Sequence, residues 1–299
     1  MLFRSVPGLT LSPTLNPAEI KLIRHNLGLD RPVVVQYLSW LGNAVHGNFG
    51  LSLEDHSSVL GDIVSRLPAT LELTGAALLL GLLLAIPIGV LGAARRGSKV
   101  DHLLTTVSVA GFAIPQFWLG LVLILLFSVK FSEWGLPALP QSGDASPTGG
   151  GLGDHLAHLV LPAVVLSFYY ISTWSRYLRS SMVEVLSQDY IRTALAKGAT
   201  RRRAVIVHGL RNGIVSLVTL IGLSIPYLIS GALVVEIVFS WPGIGLLAYQ
   251  RAQDFDYTTV LGITTFVAFL VILGNLLADI GAMLLDPRVA SGMRAEATA

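Results

Sequence analysis

The stretch that decides how this chain is read runs from Gln188 to Asn212, QDYIRTALAKGATRRRAVIVHGLRN, a strongly basic segment set between two long apolar runs. Asp189 is placed to open a short helix, Arg192 and Lys197 fall near its end, and Gly198 can take the left-handed conformation that stops it. Thr200 is placed to cap a second helix, yet Arg201, Arg202 and Arg203 then occupy its first turn, where the positive end of the helix dipole repels cations. Each misplaced charge costs about 0.3–1 kcal/mol. Anionic lipid headgroups or an acidic or hydrogen-bonding groove on a partner protein can offset that cost. The segment therefore reads as a docking element on a membrane protein.

Composition supports the membrane. Of 299 residues 53% are apolar and 13% charged, and the mean hydropathy is +0.69, whereas soluble domains carry about 25% charged residues. There is no cysteine, which excludes disulfides and thiol chemistry. Five runs are long enough for a hydrocarbon core that takes about 20 residues to cross: Leu73 to Ala94, Leu103 to Val129, Leu159 to Leu178, Ile214 to Val235 and Val260 to Leu285. Pro87, Pro115, Pro162 and Pro226 fall in the first four, which predicts a bundle of interrupted helices.

Lysine and arginine orient the spans, because short cytoplasmic loops carry the excess of positive charge. The first loop holds Arg95, Arg96 and Lys99, and the third holds Arg176, Arg179, Arg192, Lys197, Arg201, Arg202, Arg203 and Arg211. Both are expected in the cytoplasm. The second loop, Phe131 to His158, has neither residue and the fourth has only Arg251, so both face outward.

The same segment carries a family resemblance. It is similar to the cytoplasmic loop of ABC importer membrane subunits, with Gly198 at the pattern's glycine, Arg192, Thr193 and Ala194 at its Glu-Ala-Ala positions, His208 and Leu210 where its tail begins, and Arg211 replacing its proline. In those departures, DYIRTALAKG and HGLRN, it resembles the dipeptide/oligopeptide/nickel permease branch. Further matching stretches are GLDRPVVVQYLSWLGNAVHGNFGLS (Gly28 to Ser52), LPATLEL (Leu67 to Leu73), LPQSGD (Leu139 to Asp144), GALVVEIVFSWPGIG (Gly231 to Gly245) and LLDPR (Leu284 to Arg288). In that family the loop is the coupling helix that docks into the ATPase subunit. The resemblance therefore implies a coupling role for Asp189, Tyr190, Arg192, Thr193, Ala194, Lys197, Gly198, Ala199, Thr200, Arg201, Arg202 and His208. It also implies a second homologous permease subunit, two ABC ATPase subunits holding ATP and magnesium, and an extracytoplasmic substrate-binding protein.

Enzyme motifs are missing. The chain has no Gly-x-x-x-x-Gly-Lys-[Ser/Thr] loop, no His-Glu-x-x-His and no Gly-x-Ser-x-Gly, so catalytic residues and cofactors on this chain are not expected, and neither is nucleic acid. His46 and His56 lack a third ligand at suitable spacing, and no metal site is assigned to them. Asp279, with Asn275 one turn earlier, is the residue an ion-coupled secondary transporter would use; the competing reading is interhelical glue near the end of the last span. Glu236, Trp241, Pro242 and Gly243 fall in the outer fourth loop, as either a short re-entrant element at an outer gate or an interfacial anchor with Trp241 in the aromatic belt.

The expected architecture is an all-α polytopic bundle in the bacterial plasma (inner) membrane. Residues 1–70 form an exterior N-terminal region, 71–288 the transmembrane domain with its coupling loop at 179–212, and 289–299 a cytoplasmic tail. Five spans are present; six are expected of the full-length protein, with a first helix missing before Pro7 and Gly8, the alternative being five spans with an outside N-terminus. The expected function is translocation of di- or oligopeptides by an ATP-driven importer, with nickel or another small solute as the alternative cargo.

Overall fold

The computed structural model describes residues 30–147 and 149–285. Helix α1, Val33–Val45, presents apolar side chains without burying any of them. Helix α2, Val59–Ala94, starts more than three turns ahead of the apolar run, because Ser58 accepts the Gly61 N–H and Asp62 places negative charge in the first turn. It continues through Pro68 and Pro87 without a break.

The second expected span is instead two helices, α3 (Lys99–Ala113) and α4 (Gln116–Glu133), the latter with a π-helical stretch at Ile124–Lys130. Pro115 has no N–H to continue the ladder, and Ile114 before it is driven to an extended ψ of 124°. Among the four prolines of the predicted interruptions only Pro115 stops a helix. Helix α5, Gly151–Leu186, runs through Pro162, and α7, Arg211–Phe239, runs through position 226. Between them lies α6, Asp189–Ala196; α8, Ile244–Gln253, and α9, Tyr257–Leu285, complete the order.

Helices α2, α4, α5 and α9 are long and apolar enough to cross a membrane, and the end of α7 bent by 72° against α8 makes up to five, in agreement with the expected bundle. No strand occurs among the described residues. Asp279 lies in α9, but its side chain is outside the described set. Residues 1–29 and 286–299, and with them the first part of the expected N-terminal region and the whole expected tail, are also outside it.

The centre of the bundle is α2 against α5. Lipid tails are as apolar as leucine, so such helices associate through close packing, which favours small residues at the contact. A Cβ on Gly81 would sit 2.9 Å from the Trp174 ring, and one on Gly89 would sit 2.9 Å from the Ser175 carbonyl oxygen. Leu73, Ala77, Ala85, Leu166, Trp174 and Leu178 fill the same seam. At the far end from Gly198 a smaller cluster, Val59, Ile63, Ile244, Leu247 and Ile263, joins α2, α8 and α9. There Arg251 is clasped by Glu54, Asp55 (2.6 Å) and Asp62, while buried Asp256 accepts from Ser52 and Thr259 and caps α9.

Candidate functional site

The arginine-rich end of the bundle is built from local chain chemistry. Helix α6 opens with Asp189 in its first turn and buries only Ile191. Its end is a Schellman turn: the Ala199 N–H donates to the Ala194 carbonyl at 3.1 Å and the Gly198 N–H to the Leu195 carbonyl at 3.0 Å, with Gly198 at φ +87°. Thr200 then accepts the Arg203 N–H at 3.3 Å and starts a helical run that passes without a break through Arg201–Arg203 and a π-helical stretch, Ala204–Leu210, into α7. The second helix of the loop is thus the beginning of a long one.

One of the misplaced arginines is accommodated within the chain. Arg201 donates to the carbonyl of Ala94 at 3.2 Å, the last residue of α2, where the dipole is negative. That contact lays the Arg95–Lys99 turn beside the Thr200 turn. Arg95, Arg96, Lys99, Arg202 and Arg203 make no ion pair among the described residues, and Arg202 and Arg203 are exposed. Asp189 meets Arg192 at 3.5 Å as a fully solvated pair, which contributes little. Lys197 is exposed at the end of α6 and Ala194 half-buried beneath it. Tyr190 accepts from Asn212, which also donates to the His208 carbonyl, so α6 is tied to the first turn of α7. Thr193 bonds back to Asp189.

At the opposite end, Glu236 is not in a loop. It lies in the last turns of α7, fully buried, and α7 ends four residues later at Ser240 in the left-handed conformation, φ 50°. The Glu236 carboxylate accepts from Thr70 (2.8 Å), Gly245 N (2.6 Å) and Leu246 N (3.1 Å), and the Thr70 hydroxyl oxygen accepts the Ile244 N–H at 2.8 Å. These are the otherwise unpaired donors at the start of α8. A carboxylate from one helix therefore caps the next, at the end of the dipole that attracts it. Trp241 is fully buried and donates to the Ala69 carbonyl at 2.8 Å, so it is a wedge between helices and not a belt residue. Pro242 is half-buried beside it, and a Cβ on Gly243 would fall 2.3 Å from the Glu236 carboxylate. No group of three or more His, Asp or Glu able to hold a metal occurs among the described residues.

Sequence reading found these two regions but not what holds them. It missed Thr70, Gly245, the Arg201–Ala94 contact, and a bidentate pair at the arginine-rich end in which Arg179 donates to buried Asp101 at 2.5 and 2.7 Å.

Residues 85–291 match the binding-protein-dependent transport system inner membrane component family, and residues 7–74 match the N-terminal part of the binding-protein-dependent transport system membrane component. The chain belongs to this family. Among its relatives, the oligopeptide transport system permease protein AppB of Bacillus subtilis is 41% identical, over 97% of this chain and 92% of that one. The dipeptide transport system permease protein DppB of Escherichia coli K12 is 39% identical, over 92% of this chain and 86% of that one. In fold, an inward-facing conformation of the MetNI methionine ABC transporter matches 75% of this chain and 96% of that one, with a TM-score of 0.60 at 18% identity. An amino acid ABC transporter crystallised with histidines matches 74% and 93%, with a TM-score of 0.56 at 13% identity. As a family member the chain is an integral inner-membrane permease.

Proposed function

We propose that this chain is the translocation subunit of an ATP-driven importer of di- or oligopeptides, working with a second homologous permease, two ABC ATPases that carry ATP and magnesium, and an extracytoplasmic binding protein. The observation that carries the proposal is the exposed α6–Gly198–Thr200 element, mounted directly between the ends of α5 and α7 and surrounded by unpaired arginines. A surface of that charge at a cytoplasmic end suits an ATPase groove and the adjoining anionic headgroups. The peptide assignment follows the named activities of the relatives at 41% and 39% identity.

In this mechanism the chain performs no chemistry. Closure of the ATPase pair displaces α6, the displacement passes into α5 and α7, and a path at the interface with the second permease alternates between outward and inward access. The C-terminus and the loops at Arg95 and Gly198 are cytoplasmic, and the Arg251 end faces outward, where the binding protein docks.

The test is reconstitution of the chain with its partners in vesicles. Uptake of a labelled dipeptide that requires ATP, both permeases and the binding protein is expected. Proton-driven uptake by this subunit alone would overturn the proposal, and ATP-dependent uptake of nickel in place of peptide would replace its cargo.

A further inference from the structure

Arg176 points the wrong way for a residue that merely reaches for the membrane surface. Helices α3 and α5 run antiparallel in fixed register: Arg179 meets Asp101 near the arginine-rich end, Ser175 meets Ser108 at 3.1 Å, and the Tyr169 ring meets Phe112 at 5.3 Å. Phe112 lies about 16 Å along α3 from Asp101 at 1.5 Å per residue. The guanidinium carbon of Arg176 sits 5.2 Å from the centre of that Phe112 ring, and its Nε donates back to the Ser172 carbonyl. The cation is therefore turned toward the bilayer interior, away from the nearby headgroups.

It has no carboxylate there. Arg179 engages Asp101 with both nitrogens, whereas the terminal nitrogens of Arg176 have no acceptor among the described residues. Phe112 and Tyr169 are 48% and 38% exposed, so the cluster lies on an open face of the chain. Thr173, on the same face of α5, holds a buried hydroxyl oxygen without a partner. A small cleft between Arg179 and Arg176 is lined by Ile88, Leu104, Thr105, Ser108 and Ser175. A half-paired guanidinium beside hydroxyls is not stable against hydrocarbon, and inside membranes such cations face water-filled cavities or partners.

We propose that Arg176, Phe112 and Tyr169 form a subsite on the translocation path that takes a transiting peptide by its free carboxylate, the guanidinium binding the carboxylate and the two rings receiving an apolar side chain. It rests on the peptide-import reading above. Two parallel N–H donors match a carboxylate in a way a single ammonium does not, and the guanidinium already rests over the Phe112 ring, which in turn meets the Tyr169 ring.

The test uses the reconstituted complex carrying Tyr169→Cys, the only cysteine on this chain. Anionic sulfonate and cationic trimethylammonium thiosulfonates are both expected to label it, and adding Arg176→Gln should lower the anion-to-cation rate ratio about tenfold. A millimolar dipeptide should slow labelling, and its C-terminal amide should not. With tyrosine restored, Arg176→Gln should cut dipeptide uptake at least tenfold at unchanged complex yield, and Arg176→Lys less. No labelling by either reagent, an unchanged ratio, equal protection by acid and amide, or wild-type uptake by Arg176→Gln each overturns the subsite. The labelling arms need no uptake, so they report on it even where the wild-type complex imports no peptide and the functional proposal itself has failed.

Discussion

Arg179 of α5 grips Asp101 of α3 at two points, Nε to Oδ1 at 2.5 Å and Nη2 to Oδ2 at 2.7 Å, while Gly97 N–H donates to the same carboxylate from the preceding turn. The clasp holds the first basic turn against the base of α5. Removing the charge with Asp101→Asn should cost about 2 kcal/mol, the range for a charged hydrogen bond whose partner keeps some solvent. The Arg179 guanidinium holds the Asp101 carboxyl down at about 2, below its ordinary 3.8. A carboxyl lowered in the folded state stabilises fully above its unfolded pKa and stops doing so as pH falls through the folded one. The drop in melting midpoint of Asp101→Asn should therefore be equal at pH 5 and pH 8 and shrink only between about pH 4 and 2.

Gly198 stands at φ +87° with nothing within 4 Å of where a Cβ would be. A substitution there meets no clash, so its cost is conformational, about 1–2 kcal/mol. Gly198→Val should insert and assemble, yet hydrolyse ATP with less peptide imported per ATP. A wild-type ratio of uptake to hydrolysis would remove the glycine from the coupling path.

The three arginines after Thr200 should separate in their effects. Arg201→Gln loses the bond to Ala94 and should lower the melting midpoint of the isolated subunit. Arg202→Gln with Arg203→Gln should leave that midpoint unchanged, weaken ATPase retention on a column, and flatten its dependence on salt. Identical salt profiles would limit these two residues to orienting the chain.

Glu236→Gln keeps the shape but places an amide NH₂ among three donors, Thr70, Gly245 and Leu246. One donor is then unpaired, at about 1–3 kcal/mol. Gly243→Ala should do comparable damage by overpacking, about 1–3 kcal/mol. Protease cleavage within residues 240–246 of the assembled complex is the measurement, and both variants are expected to be cut faster.

Orientation is checked with Ala145→Cys and Ser187→Cys, both at exposed positions in a chain without cysteine. An impermeant thiol reagent on intact cells should label the first, and the second only after lysis. The reverse pattern would place the arginine-rich loop away from any cytoplasmic ATPase.

What was legible in the sequence was what depends on near neighbours. Asp189, Gly198 and Thr200 form a helix start, a Schellman stop and a cap within a dozen residues, and each takes its expected place. What was not legible depends on distant ones. Glu236 interrupts an apolar run and reads as the start of a loop, because Thr70, which accepts it into the bundle, is 166 residues away. Asp101 and Arg179 are 78 apart. The prolines look alike in the sequence, yet only at Pro115 does the helix stop. Whether a neighbouring helix takes up the carbonyls a proline frees is a property of packing.

The glycine seam between α2 and α5 has a mechanical consequence. With Gly81 and Gly89 closed onto Trp174 and Ser175, the two 36-residue helices cannot slide past one another without steric overlap, and each is about 54 Å long. Joined in this way they behave as a stiff rocker arm, with α6 attached at one tip. A tilt of about 5° over that length carries the other tip roughly 5 Å, enough to unseat a side chain at the outer end while no bond inside the pair is stretched.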